Sequence, residues 1–344
     1  MISGILLCLI AGFAAFAATW LVERNAHRLG VVQSPNERSS HTVPTPSGGG
    51  VGIVVGGAIG TLLAAFQAPR EILVVLVTSL IIAAIGFYDD RKPIPAIYRL
   101  GAQFALFAAA VIGVIPLGPL ATEAGIALPL PVMVGLLVLL LLIGVYWINL
   151  FNFMDGIDGL AASQAVFMAV AAAALSLLAT PGLMDHPGFW WLIGLAAATM
   201  GFLLLNWPPA RIFMGDAGST YLGFVIAVLA LLTVSWGWLS LWQWLILGGA
   251  FVTDATVTLL RRLLNRERIV EAHRRHAYQA LSRRWQSHRS VTLAFIAINV
   301  IWVLPLAYWA GTGVPGLLAA IVAYLPLAGL ALYAGAGAPE RRIL

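Results

Sequence analysis

The sequence predicts an all-α polytopic membrane protein with about eleven transmembrane helices. Of its 344 residues, 61% are hydrophobic and only 10% are charged, and the mean hydropathy is +0.94. Soluble domains carry roughly a quarter charged residues, so this composition excludes an ordinary globular protein and a disordered chain. The single cysteine, Cys8, excludes an intramolecular disulfide and a cysteine-built metal site.

Apolar runs of about 20 residues are long enough to cross a hydrocarbon core of about 30 Å. The predicted spans are 2–21, 48–67, 71–88, 98–116, 130–150, 160–179, 188–205, 219–236, 239–262, 290–310 and 314–334. The link Trp236–Ser240 holds no charge, so ten spans are the alternative. The first run lacks a basic leader and a small-residue cleavage signal, which predicts a retained helix and not a signal peptide.

The distribution of basic residues predicts the orientation of these spans. With the N-terminus outside, 18 of the 19 Lys and Arg residues fall on one side, and only Arg70 falls on the other. Because cytoplasmic loops collect Lys and Arg, the N-terminus is predicted to be periplasmic and the C-terminus cytoplasmic. We expect one transmembrane catalytic domain over residues 1–344, with cytoplasmic loops near 22–47, 89–98, 151–160, 206–219 and 261–289.

A glycine stripe is predicted on the second span. Gly48, Gly52, Gly56 and Gly60 recur at every fourth residue, so they share one face of a helix. Because these residues have no side chains, another helix can pack closely against them. We interpret the stripe as architecture and not as a chemical site.

Acidic residues gather on the predicted cytoplasmic side, although membrane insertion gives no reason for them to do so. Eleven of the 14 acidic residues lie there, and six are aspartates at or near helix ends: Asp89, Asp90, Asp155, Asp158, Asp216 and Asp254. Asp89 and Asp90 are adjacent at the end of the third span, where the helix dipole is negative and like charges repel. The pair is either neutralised by Arg91 and Lys92, or it holds a divalent cation or removes a proton from a substrate.

Asp155 and Asp158 follow the fifth span, together with Asn152. If this segment is helical, their spacing of three residues places all three side chains on one face. Their oxygen atoms suit a hard cation or the hydroxyl and amide groups of a nucleotide sugar. The alternative is an Asx turn in which Asp158 caps the sixth span.

Asp216 lies in the segment Gly215–Ser219, which opens the eighth span. The free backbone N–H groups of this helix N-terminus are expected to receive a phosphate group. Asp216 could instead cap the helix. Phe213, just before it, is either part of the core or a platform on which a base stacks.

Two basic segments complete the predicted cytoplasmic face. In the loop 261–289, His273 and His276 share a face if the stretch is helical, and Arg274 and Arg275 lie between them. These four residues suit an anion site, although the nine arginines of the loop are also expected on a surface attracted to anionic lipid.

The other segment precedes the second span and contains Arg38 and His41 before a glycine cluster. It suits a phosphate contact at a helix N-terminus, and it is equally typical of an ordinary loop and cap. Together, the carboxylates, basic residues and glycine-opened helices on one membrane face predict phosphoryl transfer with Mg²⁺.

Five ordered motifs carry a resemblance to a known family. They are PNxRSSH…GGG, FYDD, NxxNFMDGIDGLA, NxPPARIFMGDAGS and HRRHAY, and they resemble those of the polyprenyl-phosphate N-acetylhexosamine-1-phosphate transferases, glycosyltransferase family 4. Eleven spans and HRRHAYQ are most similar to the branch that initiates O antigen or similar surface polysaccharides. The peptidoglycan-precursor branch typically has ten spans and a run of consecutive histidines. In this sequence Arg274 and Arg275 stand between His273 and His276 and interrupt such a run.

This resemblance implies transfer of an N-acetylhexosamine 1-phosphate from a UDP-sugar to undecaprenyl phosphate in the bacterial inner membrane, with release of UMP. It implies Mg²⁺ as the cofactor, with Mn²⁺ as the alternative. It also implies a cytoplasmic active site and a homodimer. The implied mechanism is direct attack by the lipid phosphate, and a covalent enzyme intermediate is the alternative. The resemblance leaves open which acetamido sugar is used. Asp216 is the implied metal ligand, assisted by Asp155, and Asp89 or Asp90 deprotonates or orients the lipid phosphate.

The resemblance also implies the groups that contact the donor. Asn152, Asp155 and Asp158 position the nucleotide sugar and the metal, and Asn206 and Phe213 hold the uridine. The residues expected to contact phosphates or sugar are Arg38, His41, His273 and His276.

Two other classes of protein share some of these features. CDP-alcohol phosphotransferases also have a DxxDG string, but here Asp158-Gly159 is followed by Leu160-Ala161 without that family's later arginine and aspartates. A secondary transporter or flippase should have acidic residues near the membrane midplane, whereas Asp254 is the only acid well inside a predicted span.

Overall fold

The computed structural model describes residues 2–33, 44–65, 69–114, 129–267 and 273–339, with side chains except those of 63–65 and 69–71. Arg38 and His41 therefore lie outside the described residues. The helices are α1 (Ile2–Leu29), α2 (Gly50–Ala65), α3 (Pro69–Asp89), α4 (Ala96–Val114), α5 (Leu130–Phe153), α6 (Leu160–Ala179), α7 (Pro187–Asn206), α8 (Gly215–Ser235), α9 (Leu241–Leu247), α10 (Gly249–Leu264), α11 (Ala277–Trp285), α12 (His288–Ile298), α13 (Leu304–Ala310) and α14 (Gly316–Ala334).

The architecture is that of an all-α polytopic membrane protein, as predicted. Within the described ranges, nine helical segments are long and apolar enough to cross a membrane, one of them formed by α12, a π turn at Asn299–Val303 and α13. The only sheet among these residues is a two-residue antiparallel ladder of β1 (Val32–Gln33) and β2 (Thr45–Pro46). It joins the loop after α1 to the entry of α2.

Two predicted spans differ from simple membrane helices. The second is the short helix α2, whose apolar part is Gly50–Leu62. The ninth is broken into α9 and α10, which meet at an angle of 73°. At the break, the Gln164 side chain donates to the Leu247 carbonyl oxygen over 3.1 Å, and the Asn299 amide donates to Gln164 Oε1 over 2.6 Å. The polar pair Gln164 and Asn299 thus satisfies a backbone carbonyl group that lipid could not hydrogen-bond.

Glycine-mediated contacts pack α2 against α1, which confirms part of the predicted stripe. A Cβ added at Gly52 would overlap the Thr19 hydroxyl, and one at Gly56 would lie 2.5 Å from the Ala11 carbonyl oxygen. Gly60 faces Gly194 on α7, and a Cβ added at Gly60 would make an ordinary van der Waals contact at 3.7 Å. Gly48 precedes the helix and has a φ of +78°, so its role is a left-handed turn and not helix packing.

Among the long apolar helices of the described residues, α8 is the most enclosed. Of its most apolar 18-residue stretch, 94% is buried inside the protein. It packs against α2, α3 and α5. Its approach to α3 depends on Gly86, because an added Cβ there would lie 2.6 Å from the Asp216 backbone. The N-terminus of α8 is therefore held directly beside the C-terminus of α3, which brings Asp90 and Asp216 together.

Candidate active site

A cavity of about 350 Å³ lies where α3, α5 and α7 end and α6 and α8 begin. The chain thus brings residues of at least four separate sequence motifs to one end of the helix bundle. Eight of the predicted site residues line this cavity: Asp90, Asn152, Asp155, Asp158, Asn206, Phe213, Asp216 and Arg274. The remaining described ones, Asp89, His273, Arg275 and His276, are not part of its lining.

Asp90 caps the N-terminus of α8. Its Oδ1 accepts the Asp216 backbone N–H over 2.9 Å, and its Oδ2 accepts that of Ala217 over 3.4 Å. A carboxylate is stabilised at this end of a helix by the dipole and by the otherwise unpaired amides. The expectation that these two amides are free to receive phosphate is therefore wrong, and Asp216 is not the cap.

Asp89 points to a different partner from its neighbour. Its carboxylate accepts the Ile94 backbone N–H over 2.6 Å and forms an ion pair with Arg99. The same guanidinium lies 3.0 Å from Asp216 Oδ2, while the Asn152 amide donates to Asp216 Oδ1 over 2.8 Å. The Asp216 side chain is thus held from both sides, by α4 and by α5.

The segment between α5 and α6 is a turn and not a helix. The condition under which Asp155 and Asp158 would share a helical face is therefore not met, because α5 ends at Phe153 and α6 begins at Leu160. Asp158 does not cap α6 either. Its Oδ2 accepts the Ala210 backbone N–H over 3.0 Å. Its Oδ1 lies 3.0 Å from His288 Nδ1.

The carboxylates of the cavity repel one another. Burial raises the pKa of Asp90 to about 6, and the negative charge of Asp89 adds to this shift. Burial also raises the pKa of Asp155 well above its ordinary value, with further contributions from the charges of Asp216, Asp90 and Asp158. Such a set of oxygen ligands is stabilised by a hard cation.

Asn206 and Phe213, the predicted uridine-binding residues, both line the cavity. However, both polar ends of the Asn206 side chain are used by the fold. Its Oδ1 accepts the Gly159 backbone N–H over 2.9 Å, and its amide donates to the Ile212 carbonyl oxygen over 2.9 Å. Asn206 therefore joins the turn before α6 to the loop after α7, and its contact with uridine stays a prediction.

The histidine motif is not helical, but its two histidine rings stack, with centroids 5.0 Å apart. His276 is buried, and its Nδ1 lies 3.2 Å from Asp254 Oδ1. Arg275 forms an ion pair with Glu267. Of the four motif residues, only Arg274 reaches the cavity lining.

Several lining or supporting residues were missed by the sequence analysis. Gln279, Ser282 and Arg283 line the cavity from α11, and Arg99 supports Asp216 from α4. Arg99 and Arg283 were used in the sequence analysis only to predict the orientation of the protein in the membrane. Their roles depend on contacts between distant segments, 117 residues apart for Arg99 and Asp216, and no local pattern marks such contacts.

Comparisons with known proteins show the family to which the chain is related. Residues 72–234 match the sequence profile described as glycosyl transferase family 4. The chain is 30% identical over 304 residues to a probable undecaprenyl-phosphate N-acetylglucosaminyl 1-phosphate transferase of Bacillus subtilis, covering 83% of this chain and 78% of the relative.

Two further relatives widen the comparison. A phospho-N-acetylmuramoyl-pentapeptide-transferase of Moorella thermoacetica is 31% identical, with 76% of this chain and 82% of the relative covered. A decaprenyl-phosphate N-acetylglucosaminephosphotransferase of Mycobacterium tuberculosis is 34% identical, with 64% and 57% covered. The chain therefore belongs to glycosyl transferase family 4, the polyprenyl-phosphate hexosamine-1-phosphate transferases, and is by that membership a membrane-embedded phosphosugar transferase.

Proposed function

We propose that this protein transfers an N-acetylhexosamine 1-phosphate from a UDP-sugar to undecaprenyl phosphate, releases UMP, and so forms the first lipid-linked intermediate of a surface polysaccharide such as O antigen. The observation that carries the proposal is one cavity at the end of a membrane helix bundle that is lined by Asp90, Asp155 and Asp216 together with Arg274 and Arg283. Guanidinium groups bind phosphate through charge-assisted hydrogen bonds.

A Mg²⁺ ion is part of this proposal, with Mn²⁺ as the alternative. Asp216 and Asp155 are the proposed ligands, since both line the cavity. Among the described residues, no three His, Cys, Asp or Glu side chains form a metal-binding group. Mg²⁺ is nevertheless commonly bound through one or two carboxylates, with water and substrate phosphates as the other ligands. When bound, the ion neutralises charge on the phosphate oxygens.

The remaining parts of the proposal concern reaction and location. In this proposal the lipid phosphate attacks the sugar phosphate directly, since proximity of two reactants in one site is a large part of catalysis. The protein lies in the bacterial inner membrane with the cavity facing the cytoplasm. A homodimer stays a prediction, which light scattering of the purified protein will test.

The test is the release of UMP by the purified protein with undecaprenyl phosphate, Mg²⁺ and a panel of UDP-acetamido sugars. We expect UMP with at least one sugar and its loss in Asp216→Asn, in which the proposed metal ligand loses its charge. Asp185→Asn is the matched control, because Asp185 is exposed at the start of α7, on the far side of the bundle from the cavity. If no sugar yields UMP while either substrate is moved across vesicles, a transporter is the correct assignment.

A further inference from the structure

Of the six aspartates at or near helix ends, Asp254 is the one to which the resemblance assigns no role, and it is almost completely buried. Its exposed fraction is 2%, and it lies on α10, the second half of the broken ninth span. A buried carboxylate is costly unless it is well paired. The partners of Asp254 therefore show what it does.

These partners come from α10, from the start of α11 and from His276 just before it. Asp254 Oδ1 accepts the Ala277 backbone N–H over 2.8 Å, and Oδ2 accepts that of Tyr278 over 2.9 Å. Oδ1 also lies 3.2 Å from His276 Nδ1 and 3.3 Å from the Thr258 hydroxyl. Asp254 is thus a cap supplied from outside the helix, which fixes the N-terminus of α11 on α10.

What α11 carries makes this contact relevant to the reaction. The face of α11 towards the cavity contains Gln279, Ser282 and Arg283, and Arg274 lies just before the helix. The Arg283 guanidinium donates to the Arg274 carbonyl oxygen over 3.0 Å, so the two arginines are linked. The positions of Arg274 and Arg283 in the cavity therefore depend on the position of α11.

The same helix also touches the acidic turn. The Tyr278 hydroxyl donates to the Phe153 carbonyl oxygen over 3.0 Å. It occupies the space where a Cβ of residue 156 would be, so only glycine fits at Gly156. Gly156 is next to Asp155, and the turn is consequently in direct contact with α11.

We propose that Asp254 is a positioning residue for the transfer reaction: by anchoring the N-terminus of α11, it sets the distance between the arginines and the carboxylates of the cavity. This inference rests on the proposed function. A diphosphate that bridges a cation and the arginines needs this distance to be fixed, and a displacement of about 1 Å can lower a rate about a hundredfold.

The test is Asp254→Asn, which keeps the size of the side chain but replaces an acceptor for the α11 amides with a donor. We expect kcat/KM for the UDP-sugar to fall about tenfold to a hundredfold, with a smaller change in KM for undecaprenyl phosphate. Hydrogen exchange should become faster over Ala277–Trp285 and stay the same in α8. Thr258→Val is the matched control, because it leaves both backbone contacts of Asp254 in place.

A second pair of variants tests the same contact from the other side. Gly156→Ala should lower turnover, because the new methyl group meets the Tyr278 hydroxyl, and adding Tyr278→Phe should restore part of it. Wild-type kinetics and unchanged exchange in Asp254→Asn would overturn the inference, as would Gly156→Ala without effect. If the wild-type protein releases no UMP, the proposed function fails instead, and the exchange measurement still decides whether Asp254 anchors α11.

Discussion

Asp89 and Asp90 are adjacent in the sequence but have different surroundings. Asp90 caps α8 and lines the cavity, whereas Asp89 is paired with Arg99 outside the lining. The sequence analysis left open which of the two meets the lipid phosphate, because a doublet at a helix end has no defined direction. The structure favours Asp90 as the one with access to the cavity.

The pKa of His273 predicts how the stability of the protein depends on pH. Burial and the neighbouring His276 lower the pKa of His273 from about 6.5 to about 4. Between these values the unfolded chain binds a proton that the folded protein does not, so stability falls as the pH falls from 6.5 to 4. We expect the melting temperature to drop over this range and His273→Gln to reduce the drop.

His27→Gln is the control for this measurement, because His27 is exposed in the last turn of α1. The melting curve can be followed by circular dichroism of the protein in detergent. A pH dependence that is identical in the wild type and in His273→Gln would contradict the assignment of the shift to His273.

At the scale of elements, the close packing of α3 on α8 positions the capping carboxylate. Gly86→Ala would place a methyl group 2.6 Å from the Asp216 backbone and push the two helices apart, at a cost of about 1–3 kcal/mol. We expect a lower melting temperature and a strong loss of UMP release, because the contact between Asp90 and the α8 amides would be broken.

Gly101→Ala in α4 is the matched control. An added Cβ at Gly101 meets nothing within 4 Å, and alanine is favoured over glycine in a helix by roughly 0.5–1 kcal/mol. This variant should be as stable as the wild type or slightly more so. Equal effects of the two substitutions would show that helix propensity, and not the contact between α3 and α8, determines the result.

Local patterns predicted most of the elements and their order. Each predicted span has a helical counterpart, and the MDGIDG and FMGDAGS motifs meet at one cavity. The bend in the ninth span was not predicted, although the pair Gly248-Gly249 lies at the break and glycine pairs are typical of helix kinks. It depends on Trp147, whose ring fills the space beside Gly248, and on Gln164, and both residues come from other helices.

The candidate site was predictable only as a set of residue types. Asp254 was recognised as an acid inside a span, but its anchoring of α11 needed contacts with Ala277 and Tyr278 across 23 and 24 residues. His276 and Arg275 were expected at the substrate, whereas the structure pairs them with Asp254 and Glu267. Motif spacing identifies which side chains belong together but not which way they point.

The orientation of the whole molecule in the membrane is predicted by its charges. The charge distribution predicts that the cavity faces the cytoplasm. In a Cys8→Ala background, Asp185→Cys should react with an impermeant maleimide in intact cells, and Arg284→Cys only after the membrane is opened. Both positions are exposed. The reverse labelling pattern would invert the topology and place the cavity away from cytoplasmic UDP-sugars.

The polar pair at the break of the ninth span also constrains the order of assembly. A bent span exposes carbonyl groups that lipid leaves unpaired, at a cost of several kcal/mol each. Gln164, which satisfies the Leu247 carbonyl, precedes it by 83 residues, so α6 is synthesised well before the bend. Asn299 follows and holds Gln164 from the other side. We therefore expect the bend of the ninth span to become stable only when α6 is already in place beside it, and to be completed when the segment with Asn299 packs.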